Sequence, residues 1–184
     1  MLMKVTDANS VLVFDPRGRV EASDTPIAVR PTSLDGLRLA ILDNSKWNAN
    51  KILRGSAAAL QKAVTFRAVN YYVKESFSKD AAPELIEEIA ANNDIVLTAI
   101  GDCGSCCSCC IRDAIALEKN GVPSVAIITT EFVRETELTR RAIGMQGLHP
   151  VVIDHPVSSI TQPEVDSRAS QVAVQAPRVW LGRA

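Results

Sequence analysis

No stretch of this chain approaches the roughly 18 consecutive apolar residues that a membrane-crossing helix needs, and its opening, MLMKVTDANSVLVFD, lacks the apolar core of a secretory signal. Neither sign of charge prevails. With 20 Lys and Arg against 21 Asp and Glu, the formal net charge is −1, which argues against nucleic-acid or membrane-surface binding driven by charge. Repeats and low-complexity tracts are missing, and histidine is scarce, with only His149 and His155. Cysteine is absent from nearly the whole chain: all five lie between Cys103 and Cys110. A disulfide framework spreads its cysteines along the chain, so that class is excluded. The expected compartment is the cytoplasm, where a tight thiol cluster reads as redox-active or metal-binding.

The 184 residues, 47% of them hydrophobic, are enough to bury one proper core. The stretch around which the rest is organised is Ile95 to Thr130. It opens with the apolar run Ile95–Ile100, short enough for a buried strand, and closes with a second run, Ser124–Thr129, announced by Gly121 and Pro123. Between them a segment of helical pattern carries Ile111, Ala114 and Ile115 on one face, with Glu118 and Lys119 expected outward. Strand, crossover helix and strand make a βαβ unit and imply a parallel sheet.

Upstream, residues 1–36 read as an N-terminal arm or edge hairpin that wraps the domain or meets a partner subunit. Val11–Phe14 is its candidate strand and Asp15-Pro16-Arg17-Gly18 its turn. Residues 37–184 read as a single α/β domain. Its core strands are expected at Leu37–Leu42, Val64–Tyr72, Ile95–Ile100, Ser124–Thr129 and Pro150–Ile153. Its helices are expected at Ala49–Lys62, from Pro83 to Ala91, after the cysteine loop, from Glu131 to about Met145 with Phe132, Leu138 and Ile143 inward, and from Pro163 until Pro177 breaks it. Lys74–Asp80 reads as a charged loop. The alternation predicts a doubly wound, mainly parallel sheet of about five strands, compatible with the flavodoxin-like order.

Ligands of such sheets bind beyond the carboxyl ends of the strands. Four loops leave those ends: Asp43–Asn48, Asp102–Cys110, Thr129–Phe132 and Asp154–Pro156. Asp43, Asn44, Ser45, Lys46, Gly104, Ser105, Thr129 and Thr130 are thus candidate substrate-binding residues. Lys46 is a candidate for lowering a thiol pKa or holding a carboxylate, beside its plainer reading as a surface lysine. His155 falls on the ligand side and is the candidate acid or base, whereas His149 precedes the last strand at the opposite edge. Asp102 reads as the N-cap of the helix that follows.

The cysteines admit three readings. Cys103, Cys106, Cys107 and Cys110 have helical spacing, and a thiol at a helix N-terminus has its thiolate favoured by free N–H groups and the helix dipole. Cys103-Gly104-Ser105-Cys106 is then an attacking thiolate with a resolving thiol one turn away, and Gly104 permits a tight turn and close approach of substrate. Alternatively, Cys103, Cys106, Cys107, Cys109 and Cys110 supply thiolates for zinc, copper or iron, as a metal-handling protein or a metallo-hydratase or lyase would use. The third reading is packing: Cys107, Cys109 and Cys110 as small core residues.

Gly101-Asp102-Cys103-Gly104-Ser105-Cys106, followed by Asp113-Ala114-Ile115, Glu118 and Gly121-Val122-Pro123, resembles the UGSC family. Asp15-Pro16, Leu42-Asp43-Asn44-Ser45-Lys46 and His155-Pro156 extend the likeness over most of the chain. In many members selenocysteine occupies the position of Cys103, and the family is distantly similar to the selenocysteine subunits of glycine and proline reductases. The resemblance implies a nucleophilic chalcogen at Cys103 and redox or reductive chemistry. Cys107, Cys109 and Cys110 depart from the usual motif and keep a metal site or a disulfide relay open. The expected function is a thiol-dependent oxidoreductase acting on a small organic substrate, without a cofactor, with Cys103, Cys106 and His155 as its catalytic residues. Its expected partners are that substrate or a thiol electron donor, within a homo- or hetero-oligomer. The alternatives are the thiolate metal protein and a non-catalytic subunit of a larger complex.

Overall fold

The computed structural model describes residues 22–183. Five strands form one sheet: β1 (Arg38–Asp43), β2 (Ala68–Val73), β3 (Ile95–Gly101), β4 (Ser124–Thr129) and β5 (Val151–Ile153). Every pairing is parallel and the spatial order is β2-β1-β3-β4-β5, the flavodoxin-like doubly wound arrangement. The helices are α1 (Ala49–Leu60), α2 (Pro83–Asn92), α3 (Gly104–Lys119), α4 (Val133–Ile143, after a 3₁₀ turn at Thr130–Phe132) and α5 (Gln162–Trp180). Helices α1 and α5 cover one face of the sheet, with α3 between α2 and α4 on the other. Every residue of β3 and β4 is buried, as the continuous apolar runs of a doubly covered parallel sheet require.

The second strand begins at Ala68, not at Val64, and several other expectations are corrected. Pro177 does not break α5, which runs on to Trp180. A proline inside a helix costs about 3 kcal/mol. Burying an indole of about 150–250 Å² at about 25 cal/mol per Å² returns about 4–6 kcal/mol. Trp180 is fully buried and its Nε1–H donates to the Val96 carbonyl at 3.0 Å, so the last turn is held from beyond the proline. Leu138 is 52% exposed, and the buried positions of α4 are Thr136 and Thr139. The 3₁₀ turn, wound more tightly than an α-helix, shifts the phase of the residues that follow.

Two charged residues expected in solvent lie inside. Glu118 is 2% exposed and accepts from the Ala28 and Ser124 N–H groups at 2.7 and 2.6 Å and from Arg30 Nη1 at 2.7 Å. It thereby pins the arm, whose described part (residues 22–36) has no helix or strand and wraps the domain, with Ile27 against the α3–β4 core. The candidate strand Val11–Phe14 and turn Asp15–Gly18 lie outside the described residues. Lys74 is 3% exposed and donates to the Lys79 carbonyl at 2.6 Å and to Asp113 of α3, whose other oxygen accepts from the Ala81 N–H at 2.7 Å.

Burial pushes the Asp113 carboxyl above its ordinary value, and Lys74 only partly offsets that. Desolvation therefore consumes most of what the attraction provides. Lys74→Met alone should lower unfolding free energy by about 3–5 kcal/mol, by leaving a buried carboxyl unpaired, and adding Asp113→Leu should restore most of the loss. Urea unfolding of the two variants checks this; a double variant as unstable as the sum of its singles would show that the two groups do not act as a pair.

Candidate functional site

The site begins where β3 gives way to α3. The β3–β4 register slips between Ala99 and Gly101, so the end of β3 bends just before the loop. A Cβ at Gly101 would sit 2.9 Å from the Cys107 Cα, so only glycine lets α3 lie this close to the strand. Gly104 has no such duty. It is the first residue of α3, and a Cβ there would meet nothing within 4 Å, which leaves open space above the helix mouth rather than a tight turn.

Cys103, not Asp102, caps the helix. In extended conformation (φ −156°, ψ 165°) its Sγ accepts from the Cys106 N–H at 3.3 Å and lies 3.6 Å from Ser105 Oγ. Burial pushes the Cys103 thiol up. The hydrogen bonds from Cys106 and Ser105 and the charge of Lys46 outweigh that and hold it below the ordinary thiol value. Cys106, buried beneath it, goes the other way: burial, then its interactions with Cys103, push its thiol up to about 12. It donates to the Cys103 carbonyl at 3.3 Å and accepts from the Asp102 N–H at 3.2 Å.

The remaining cysteines diverge. Cys107 lies 3.2 Å from Thr136 Oγ1, and burial pushes it up to about 11. Cys109 accepts from Arg112, and Cys110, wholly buried beside Thr98, is raised well above the ordinary value by burial. Among the described residues, no group of three or more His, Cys, Asp and Glu converges so as to hold a metal ion.

Asp102, freed from capping, turns toward β5. Its Oδ1 is 2.8 Å from His155 Nδ1 and accepts from Thr129 Oγ1 at 3.3 Å, and its Oδ2 accepts from Ser158 Oγ at 3.2 Å. Thr129 Oγ1 also lies 3.0 Å from His155 Nδ1. Thr129 is fully buried in this network, whereas Thr130 is exposed at the start of the 3₁₀ turn. His149 is exposed before the start of β5, the opposite edge from His155.

The β1–α1 loop leaves the same edge of the sheet. Asp43 accepts from Tyr71 Oη at 2.5 Å and from the Ser45 N–H at 2.8 Å. Asn44, wholly buried, donates through Nδ2 to the Ile100 carbonyl at 3.1 Å. These two residues stitch the loop to the sheet. Ser45, in left-handed conformation (φ 62°), donates to the Lys74 carbonyl at 2.7 Å, and Lys46 Nζ lies 4.6 Å from the centre of the Phe77 ring. Asp43, Ser45 and Lys46 line an open groove of about 450 Å³ together with Trp47 (72% exposed), Asn48 and Lys51. Asn48, also left-handed, reaches across to donate to the Val157 carbonyl at 2.8 Å, tying this loop to the one that carries His155.

Sequence reading missed Asp102 as a partner of His155, placed Trp47 and Asn48 in a ligand-side loop without giving either a role, and missed Ser158 altogether. An asparagine just before a helix that begins without a side-chain cap was the available signal for Asn48, because asparagine tolerates the left-handed region. Lys46 contributes through charge alone. Lys46→Met should move the midpoint of the Cys103 alkylation pH profile upward. It should also slow labelling well below that midpoint by roughly two- to fivefold, as the loss of about 0.5–1 kcal/mol of exposed charge interaction would. An unchanged profile would show that the ammonium does not act on the thiol.

No curated protein matches the chain. Among solved structures, a flavodoxin-like domain from a Synechococcus sp. protein is 11% identical, covering 80% of this chain and 99% of that one at a TM-score of 0.39. A diflavin flavoprotein A3 from Nostoc sp. is 10% identical, covering 81% and 99% at a TM-score of 0.41. A model of the UGSC family matches residues 12–182, a span that takes in the Cys103 loop, the Lys46 loop and His155. The chain belongs to the UGSC family.

Proposed function

We propose that the protein is a thiol-dependent oxidoreductase that reduces a small organic substrate through Cys103 and Cys106. The observation that carries this reading is the contrast between two neighbouring sulfurs. Cys103 is the one cysteine of the five whose thiol is held below its ordinary value, and it sits at the mouth of α3 under open space. Cys106, one turn along, is kept protonated. An attacking thiolate and a resolving thiol need that division of states.

For a substrate with a reducible sulfur–sulfur bond, the Cys103 thiolate attacks one sulfur and forms a mixed disulfide. The departing thiolate takes a proton from the His155 imidazolium. Cys106 then attacks the Cys103 sulfur, the Cys103–Cys106 disulfide forms, and the proton of Cys106 leaves on the second thiol product. Two electrons pass from the protein thiols to the substrate. An external dithiol reduces the disulfide again, returning one proton to Cys106 and one to His155 and leaving Cys103 as thiolate. Lys46 and Lys51, on the groove beside Trp47, suit an anionic substrate.

In competitive labelling with iodoacetamide at about pH 7, Cys103 should react roughly tenfold or more faster than the other four cysteines, because thiolate character and access coincide only there. Its labelling should also reach a plateau at lower pH than that of a free cysteine: a depressed thiol pKa keeps the reactive form present as pH falls. Mild oxidation should yield the Cys103–Cys106 disulfide by peptide mapping. Equal rates across the five, or a fastest Cys109, would overturn the nucleophile assignment. One tightly held equivalent of zinc, copper or iron that is lost in Cys106→Ala would favour the metal-site reading instead.

A further inference from the structure

We infer that Asp102 is a positioning residue that holds neutral His155 with its proton on Nδ1, so that Nε2 is the atom exchanging a proton with the substrate. This deepens the reading of His155 as the proton carrier and rests on it.

The geometry is specific. Asp102 is buried, and three donors converge on its two oxygens: His155 Nδ1, Thr129 Oγ1 and Ser158 Oγ. A carboxylate that only accepts takes such a set without conflict. At 2.8 Å the Asp102 oxygen and His155 Nδ1 cannot face each other as two acceptors, so a proton lies between them. Thr129 Oγ1 touches both members and can serve as acceptor or donor, so it adapts to either charge state of the ring. His155 Nε2 has no hydrogen-bond partner among the described residues.

The backbone explains why this residue was available. Extended conformation at Cys103 sends the cysteine sulfur to the α3 N–H groups, while the preceding side chain points the other way, toward β5. Consecutive residues thus supply the nucleophile and the orienter of the acid. The loop bearing His155 is clamped independently, since Asn48 Nδ2 donates to the Val157 and Ser158 carbonyls at 2.8 and 3.4 Å. The Phe132 ring stands 6.0 Å from the imidazole, centroid to centroid, with the two planes 54° apart.

The chain has two histidines, so long-range ¹H–¹⁵N correlation spectra of the whole protein assign both with one His149→Gln control. At about pH 8.5, above the usual histidine titration, the pyrrole-type nitrogen of His155 should be Nδ1 and the pyridine-type nitrogen Nε2. In Asp102→Ala the pyrrole-type signal should shift to Nε2, the tautomer a free imidazole prefers, while exposed His149 stays unchanged. Wild-type His155 carrying its proton on Nε2 would overturn the proposal. So would an Asp102→Ala protein, folded by its remaining amide spectrum, that keeps Nδ1 protonated. Should the alanine variant fail to fold, the wild-type tautomer decides by itself. The readout involves neither substrate nor Cys103, so an inert thiol would sink the oxidoreductase reading and leave this result standing.

Discussion

The approach of α3 to the end of β3 at Gly101 governs the rest of the molecule. With a Cβ there 2.9 Å from the Cys107 Cα, any larger residue would lift the helix off the strand. Because the helix sits down, its first turn opens directly at the carboxyl edge of the sheet, between β1 on one side and β4 on the other. The free N–H groups of a helix start are worth about 0.3–1 kcal/mol to a nearby negative charge, more when partly buried. Here Cys103 sulfur occupies that place.

The same helix collects charge along its length. Its mouth carries the sulfur, its middle carries Asp113 against Lys74, and its end carries Glu118 against Arg30. The two carboxylates fasten separate parts of the chain, the β2–α2 loop and the N-terminal arm, to one rigid element. Ser45 then hydrogen-bonds the carbonyl of Lys74, so the loop holding Lys46 leans on a residue that α3 anchors. Such buried pairs add little net stability, since desolvation nearly cancels the attraction. What they do is fix which loops lie against α3.

Burial and hydrogen bonding divide five chemically identical thiols into one held below its ordinary value and four raised above it. Burial raises every thiol in the cluster, and only at Cys103 do donors and a cation exceed it. A helical stripe of cysteines in the sequence is therefore not a stripe of equivalent ligands. Cys107 faces Thr136 of α4, Cys109 faces Arg112, and Cys110 faces Thr98 of β3.

Periodicity and turn residues within the chain were enough to predict the five parallel strands, the helices between them and the placement of four loops on one edge, because those features depend on neighbours a few residues apart. They were also enough to put Cys103 at a helix mouth. They could not decide that Cys103 rather than Asp102 caps that helix, since both residues can accept from its N–H groups. The choice is made by His155, Thr129 and Ser158, which lie on β4 or beyond it and claim the carboxylate. Lys74 and Glu118 read as surface residues for the same reason: their partners, Asp113 and Arg30, are 39 and 88 positions away. Local pattern determined which elements form and where the thiols begin; the folding of distant segments onto α3 decided which charges are buried, which thiol is held below its ordinary value and which carboxylate turns to the histidine.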